Sequence, residues 1–132
     1  MNIINGQITA IKTSGSLSKV EVKAGCFDFK TIVIDTPETA DYLQTGNKVK
    51  LVFKETEVAI ATGELFQISL QNRISGSLLK LEIDALQAKV TLDTKIGHIK
   101  SIITADAAHQ LNLQEGMTAT ALIKTNEVML SL

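Results

Sequence analysis

The side chains in this sequence that could do chemistry are hydrogen-bond donors, and four candidates for binding lie in its second half. They are the hydroxyl groups of Ser69, Thr104 and Thr125 and the ammonium group of Lys124. Such groups, together with the unpaired backbone N–H groups at the start of a helix, hold anions without bonding to a metal. Each charge-assisted hydrogen bond contributes about 1.5–3 kcal/mol. The chemistry they favour is the binding of an anion.

Groups for catalysis or metal coordination are scarce. Cys26 is the only cysteine, and His98 and His109 are the only histidines. A structural zinc site, a disulfide framework and a cysteine–histidine nucleophile pair each need more of these residues than the chain has. Because the acidic residues are scattered without a readable acid–base pair, we expect no enzymatic activity.

Composition and charge are those of a folded, nearly neutral protein. The 132 residues include 13 Lys and Arg against 14 Asp and Glu, and 45% are hydrophobic. Without a long apolar run or a basic, apolar leader, we expect a cytoplasmic protein that does not contact a membrane. Nucleic-acid binding usually needs aromatic stacking platforms and a basic groove. Four Phe, one Tyr and a net charge of −1 therefore make it an unfavoured alternative.

The sequence contains two copies of one unit. A shift of 70 positions, without a gap, superposes identical residues along the chain. The identical pairs include Asn2 and Asn72, Gly6 and Gly76, Gly46 and Gly116, Lys54 and Lys124, and Glu57 and Glu127. Because only the short segment 62–64 can join the copies, we predict two domains, 1–63 and 64–132, that pack against each other.

Each copy is predicted to be a small β-domain with one helix. Short apolar or alternating runs, typical of strands, precede and follow one segment with helix signals. In the first copy, Thr36 is a suitable N-cap, Pro37 a suitable first helical residue and Gly46 a suitable end; the second copy repeats this helix at 104–111. The predicted fold is mainly β: two tandem OB-like Greek-key barrels, each with about five strands and one short helix.

The second copy carries a pattern that resembles a known family. Ser-x-x-Asn-x-x-x-Gly begins at Ser69, Ile-Ile-Thr precedes the helix, and Ala-Leu-Ile-Lys ends at Lys124 before a hydroxyl residue. This pattern is similar to the molbindin (Mop) or TOBE domain, and the tandem arrangement resembles a di-Mop protein. The resemblance implies OB-like barrels, homo-oligomers that are often trimers, and binding of molybdate or tungstate at subunit interfaces. Units of about 65 residues with little aromatic bulk also gain stability from association.

The resemblance implies a set of oxyanion-binding residues in the second copy. These are Ser69, Gln71, Asn72, Thr104, Lys124 and Thr125. Members of the family commonly carry Ser-Ala-Arg-Asn, so Gln71 stands where an arginine is expected and brings neither charge nor a guanidinium fork. Arg73 is two residues further along the strand and is a candidate substitute on the same face. No aromatic pair is placed to sandwich a pteridine, so we expect no organic cofactor.

The first copy departs further from this pattern. Ile34 stands at the position of Thr104, and Lys54-Glu55 stand at the positions of Lys124-Thr125. We therefore expect the first copy to act mainly as scaffold, with Lys54 and Asn2 as its secondary candidates for anion contact.

Two kinds of alternative stay open from the sequence. As a function, the chain could store the oxyanion, or it could sense it and act on a separate regulator or transporter. As structure, Thr104 could serve only as a helix cap, the two lysines could be solvated strand ends, and Asn2 and Asn72 could satisfy local backbone groups.

Overall fold

The computed structural model describes residues 1–64 and 67–132 and is built almost entirely of strands. The first repeat contains β1 (Asn2–Ser14), β2 (Leu17–Ala24), β3 (Phe27–Val33), β4 (Lys48–Phe53) and β5 (Ala59–Ala61). The second contains β6 (Asn72–Ile83), β7 (Gln87–Thr94), β8 (Gly97–Thr104), α1 (Ala105–Gln110), β9 (Thr118–Ile123) and β10 (Met129–Ser131). A 3₁₀ turn precedes the last strand of each repeat, at Glu55–Glu57 and Thr125–Glu127.

The strands form two five-stranded antiparallel sheets, and the repeats exchange their last strands. The first sheet has the order β10-β4-β1-β2-β3, and the second has the order β5-β9-β6-β7-β8. Each sheet therefore takes four strands from one repeat and one strand from the other. The two edge strands of each sheet also contact each other, β3 with β10 and β8 with β5, so both sheets curl.

The alternation of apolar and polar residues in the sequence fits this arrangement because each strand turns one face toward the core. In β2, for example, Val20, Val22 and Ala24 are buried. The inward residues of both sheets form one continuous apolar cluster, which includes Phe29, Phe53 and their neighbours from the second repeat. The pairing of β1 with β2, and of β6 with β7, shifts register at matching places, and such bulges bend a strand.

Only one of the two predicted helices forms, and the prediction of a helix in each repeat is wrong for the first. The segment after β3 contains turns in place of a helix. There the Thr39 hydroxyl accepts from Thr36 N–H and donates to Thr36 C=O, so local side-chain bonds compete with a helix. The second repeat places three alanines in α1, and alanine is the strongest helix former. No helix in the described residues is long and apolar enough to cross a membrane.

Candidate functional site

Three of the predicted site residues lie together where two strands of the second sheet meet. Asn72 begins β6 and pairs with Ile123 near the end of β9. Gln71 precedes Asn72 and Lys124 follows Ile123, so these two residues are neighbours across the strand pair. Both are exposed. Thr125 follows Lys124 as the first residue of the second 3₁₀ turn. Residues that carry an amide, an ammonium group and a hydroxyl group are thus neighbours along the backbone at this place.

Asn72 supports this surface from beneath. Its side chain is fully buried, its Oδ1 accepts from Lys30 N–H at 2.7 Å, and its Nδ2 donates to Lys30 C=O at 2.8 Å. Asn2 makes the equivalent pair of bonds to Lys100, both at 2.8 Å. The sequence predicted that these amides satisfy local backbone groups, and this prediction is wrong: their partners lie in the opposite repeat.

Two buried hydroxyl groups extend the same two-fold arrangement. Thr31 donates to the Val128 carbonyl at 2.5 Å, and Ser101 donates to the Val58 carbonyl at 2.6 Å. Thr31 and Ser101 are 70 positions apart, as are Val58 and Val128. Four buried polar side chains, two asparagines and two hydroxyl residues, therefore join each repeat to the backbone of the other.

Thr104 lies away from Gln71, Lys124 and Thr125 within one chain. Thr104 pairs with Gln87, the first residue of β7. This part of β7 lies beside the last residues of β6, whereas Asn72 is the first residue of β6. The Thr104 hydroxyl oxygen accepts from Ala107 N–H at 3.0 Å and caps α1. The capping role expected from the sequence is present, and the strand register places Thr104 and Gln71 toward opposite ends of the second sheet.

Arg73 anchors the segment that leads into β6. Its Nε donates to the Leu70 carbonyl at 2.8 Å, and its Nη2 donates to the Ile68 carbonyl at 2.9 Å. Ser69 lies between these two carbonyl groups and is exposed. Arg73 therefore positions the chain around Ser69 with donors that an anion would otherwise use.

The equivalent surface of the first repeat is occupied by an ion-pair cluster. We call Lys54, Glu55, Lys89 and Lys100 the first cluster. Glu55 Oε1 lies 3.6 Å from Lys89 Nζ, and Glu55 Oε2 lies 3.2 Å from the Met1 amine. Burial acts to raise the pKa of Glu55, but the hydrogen bond from the Met1 amine and the charges of Lys89 and Lys100 lower it overall.

The 70-residue shift places two further lysines beside the second surface. Lys19 corresponds to Lys89, and Lys30 corresponds to Lys100. With Lys124 and Thr125, they form what we call the second cluster. Sequence reasoning missed these lysines because it compared only residues within one repeat. The shift itself could have found them, since both pairs are identical in type at that offset.

The two 3₁₀ turns meet through their acidic ends. A side-chain hydrogen bond with Glu57 raises the pKa of Glu127, burial and the Glu57 charge add to this effect, and Lys124 opposes it. Lys124 therefore lies near this carboxyl pair and, in the strand register, next to Gln71. Nowhere in residues 1–64 and 67–132 do three or more His, Cys, Asp or Glu side chains gather as a metal-binding group. The donor set suits an oxyanion, which is held through its oxygen atoms.

Comparison with known proteins decides the family. A profile of the TOBE domain matches residues 68–130. Molybdenum-pterin-binding protein 1 of Clostridium pasteurianum is 36% identical over 64 residues, which are 48% of this chain and 94% of that protein. This chain belongs to the molbindin/TOBE family.

Other members of the molbindin/TOBE family match the chain over nearly its whole length. The molybdenum-pterin-binding protein MopB of Rhodobacter capsulatus is 32% identical over 130 residues, which are 96% of this chain and 48% of MopB. The chain thus spans about half the length of this relative. A crystal structure of the cytoplasmic molybdate-binding protein ModG superposes with a TM-score of 0.91 at 29% identity and covers 99% of this chain and 95% of ModG. The tandem molbindin architecture is therefore shared along the entire chain.

Proposed function

We propose that this chain binds molybdate as an intact oxyanion and stores it in the cytoplasm. The observation that carries the proposal is the end-to-end structural match to ModG, a molybdate-binding protein. The donor groups of the second cluster support it, because a tetrahedral dianion needs hydrogen-bond donors and positive charge. The ligand in this proposal is the oxyanion alone, molybdate or tungstate, with no organic cofactor and no catalytic step.

In this proposal, Gln71, Lys124 and Thr125 contact the anion directly. Ser69 contributes its exposed hydroxyl from the segment held by Arg73. Asn72 acts through position, because its amide is already paired with Lys30. In the first repeat, Lys54 matches Lys124 and Asn2 matches Asn72, and both are secondary candidates for anion binding.

The proposed site is completed between subunits of a homo-oligomer, for which we propose a trimer. Thr104 supports this arrangement, since it can join the other donors only from a neighbouring chain. An apolar row on the outer face of the first sheet also favours association: Met129 pairs with Val52, which pairs with Ile3. Ile3 is 61% exposed and Met129 is 44% exposed. We further propose that each curled sheet is an OB-like barrel, which the contact between its edge strands supports.

Lys124 provides the sharpest test of this site. We expect Lys124→Ala to weaken molybdate binding by about 2–3 kcal/mol, since one charge-assisted contact is lost. Isothermal titration calorimetry with sodium molybdate measures the change, and Lys54→Ala is expected to have a smaller effect. Lys95→Ala, at an exposed turn between β7 and β8, is the matched control and leaves affinity unchanged. Equal, negligible effects of Lys124→Ala and Lys95→Ala would contradict the proposed site.

A further inference from the structure

The two lysine clusters differ in the residue that follows the lysine at the strand end. Both contain a lysine at the end of a central strand and two lysines from the opposite repeat. In the first cluster the residue between them is Glu55, and in the second cluster it is Thr125. The same backbone place therefore carries a carboxylate in one cluster and a neutral hydroxyl in the other.

The Glu55 carboxylate is held as a bound anion would be. One oxygen faces Lys89 at 3.6 Å, the other faces the Met1 amine at 3.2 Å, and the side chain is only 18% exposed. The charge of Lys100 also stabilises the ionised form. A carboxylate that is already paired with these cations offsets part of their charge and competes with a second anion for them.

In the second cluster no carboxylate stands at the position of Glu55, and the carboxyl pair of Glu57 and Glu127 lies near Lys124 alone among its lysines. Asn72 fixes the backbone of Lys30, as Asn2 fixes that of Lys100. Lys19 pairs with Ile32 as Lys89 pairs with Ile102, so it takes the same position on its sheet. No ion pair involves Lys19, Lys30 or Lys124 in residues 1–64 and 67–132. The nearest acidic position in register is Glu21, which pairs with Lys30 but lies beyond ion-pair distance.

We propose that the Glu55 carboxylate takes, in the first cluster, the place of an oxyanion in the second, and that Lys19 and Lys30 help to bind that oxyanion. This inference rests on the proposed function. It assigns to Lys19 and Lys30 the cationic role that Gln71 cannot fill. It also makes the two repeats unequal, with one oxyanion at the second cluster and a built-in carboxylate at the first.

Two single substitutions, each of which gives one cluster the residue of the other at position 55 or 125, test this inference. Glu55→Thr opens the first cluster and is expected to raise the number of molybdate ions bound per chain from one to two in equilibrium dialysis against sodium molybdate. The added site is expected to be the weaker one, because Ile34 stands where the second repeat has Thr104. Thr125→Glu is expected to abolish binding at the second cluster. Glu38→Thr, at an exposed turn, is the matched control and leaves the stoichiometry unchanged.

The lysines are tested separately. Lys19→Ala is expected to weaken molybdate binding about tenfold, whereas Lys23→Ala, exposed on the same strand, leaves it unchanged. Thermal unfolding of each variant verifies that it is folded, and Glu55→Gln removes the charge with the least change of shape should Glu55→Thr fail to fold.

The possible results separate this inference from the proposed function. If the wild type binds molybdate while Glu55→Thr and Glu55→Gln add no site and Lys19→Ala binds normally, the inference is overturned and the proposed function stands. If the wild type binds nothing while Glu55→Thr binds molybdate, the role of Glu55 at the first cluster is supported, whereas oxyanion binding at the second cluster and the function of the natural chain are both overturned. If neither binds, both proposals are overturned.

Discussion

At the scale of single residues, position 71 is where this chain differs most clearly from its family's pattern. Gln71 is exposed next to Lys124 and can donate only through a neutral amide. An arginine there would add a charge and a planar pair of donors. We therefore predict that Gln71→Arg tightens molybdate binding about tenfold, as measured by calorimetric titration.

A control for this change must add the same charge elsewhere. Gln44→Arg serves, because Gln44 is exposed between β3 and β4, away from the second cluster. If Gln71→Arg leaves affinity unchanged, or if Gln44→Arg tightens binding equally, residue 71 does not touch the anion.

Asn72 presents the opposite case of a predicted site residue with a structural task. Asn72→Ala would leave the N–H and C=O of Lys30 without their partners in a buried place. Leaving buried polar groups unpaired costs about 1–3 kcal/mol each, so we predict a loss of about 2–4 kcal/mol in the free energy of unfolding. Urea denaturation measures this loss. Asn5→Ala, on the exposed face of β1, is expected to change stability little, and an equal loss in both variants would contradict the role of Asn72.

Gln71, Lys124 and Thr125 were predicted together as site residues, and the pairing of β6 with β9 places them at adjoining strand ends. Sequence reasoning did not predict that Thr104 lies apart from these three residues. Which residues lie at the same end of a sheet depends on strand register, which the sequence does not give. Sequence reasoning also left Arg73 available for an anion. The backbone carbonyls that Arg73 binds belong to a segment without a periodic pattern, so their position could not be predicted.

At the scale of elements, the segments before β4 and β9 show that matched parts of a repeat can differ in secondary structure. Thr36 and Thr104 both carry hydroxyl groups suited to a cap, and the same helix was predicted after each. The alanines after Thr104 favour helix formation, whereas Thr39 draws the hydrogen bonds of Thr36 into a local turn. A matching N-cap residue is therefore insufficient when the following residues compete for the backbone.

The meeting of the two 3₁₀ turns predicts a pH dependence of stability. The pKa of Glu127 is raised in the folded state, first by its hydrogen bond with Glu57. Protonation of Glu127 therefore stabilises the folded state. This stabilisation is present below the unfolded pKa of 4.5 and is lost as pH rises through the raised pKa of the folded state. We predict that Glu127→Gln is more stable than the wild type at pH 7 and that the difference shrinks toward pH 4.5. Because the pair is largely solvated, we expect a gain below about 1 kcal/mol.

Urea denaturation at several pH values measures this difference. Glu64→Gln is the matched control, since Glu64 is exposed and lies outside the 3₁₀ turns. A wild type that is more stable than Glu127→Gln at pH 7, or a difference that is constant with pH, would contradict the carboxyl pair.

At the scale of the whole molecule, the repeat predicts two units but not the exchange of their last strands. β5 and β10 are only three residues long each, and their sequences fit the edge of either sheet. Their partners are set by the 3₁₀ turns before them, which pack against the opposite repeat. The mainly β class and the count of five strands per repeat were predictable from alternation, whereas the pairing of short edge strands was not.

The exchange has a consequence for binding. Because each sheet contains a strand of the other repeat and each asparagine binds the other backbone, the two clusters are built by both halves of the chain. Lys19 and Lys30 reach the second cluster in this way. The chain therefore functions as one unit, and we propose that its oligomer adds the remaining donors.

Native mass spectrometry of the purified chain tests the central claim most directly, because it reports subunit number and bound anions together. We predict a discrete oligomer, a trimer, that takes up a whole number of molybdate or tungstate ions and keeps them in excess sulfate. An oligomer that takes up neither anion, or that exchanges them freely for sulfate, would contradict molybdate binding as the function of this protein.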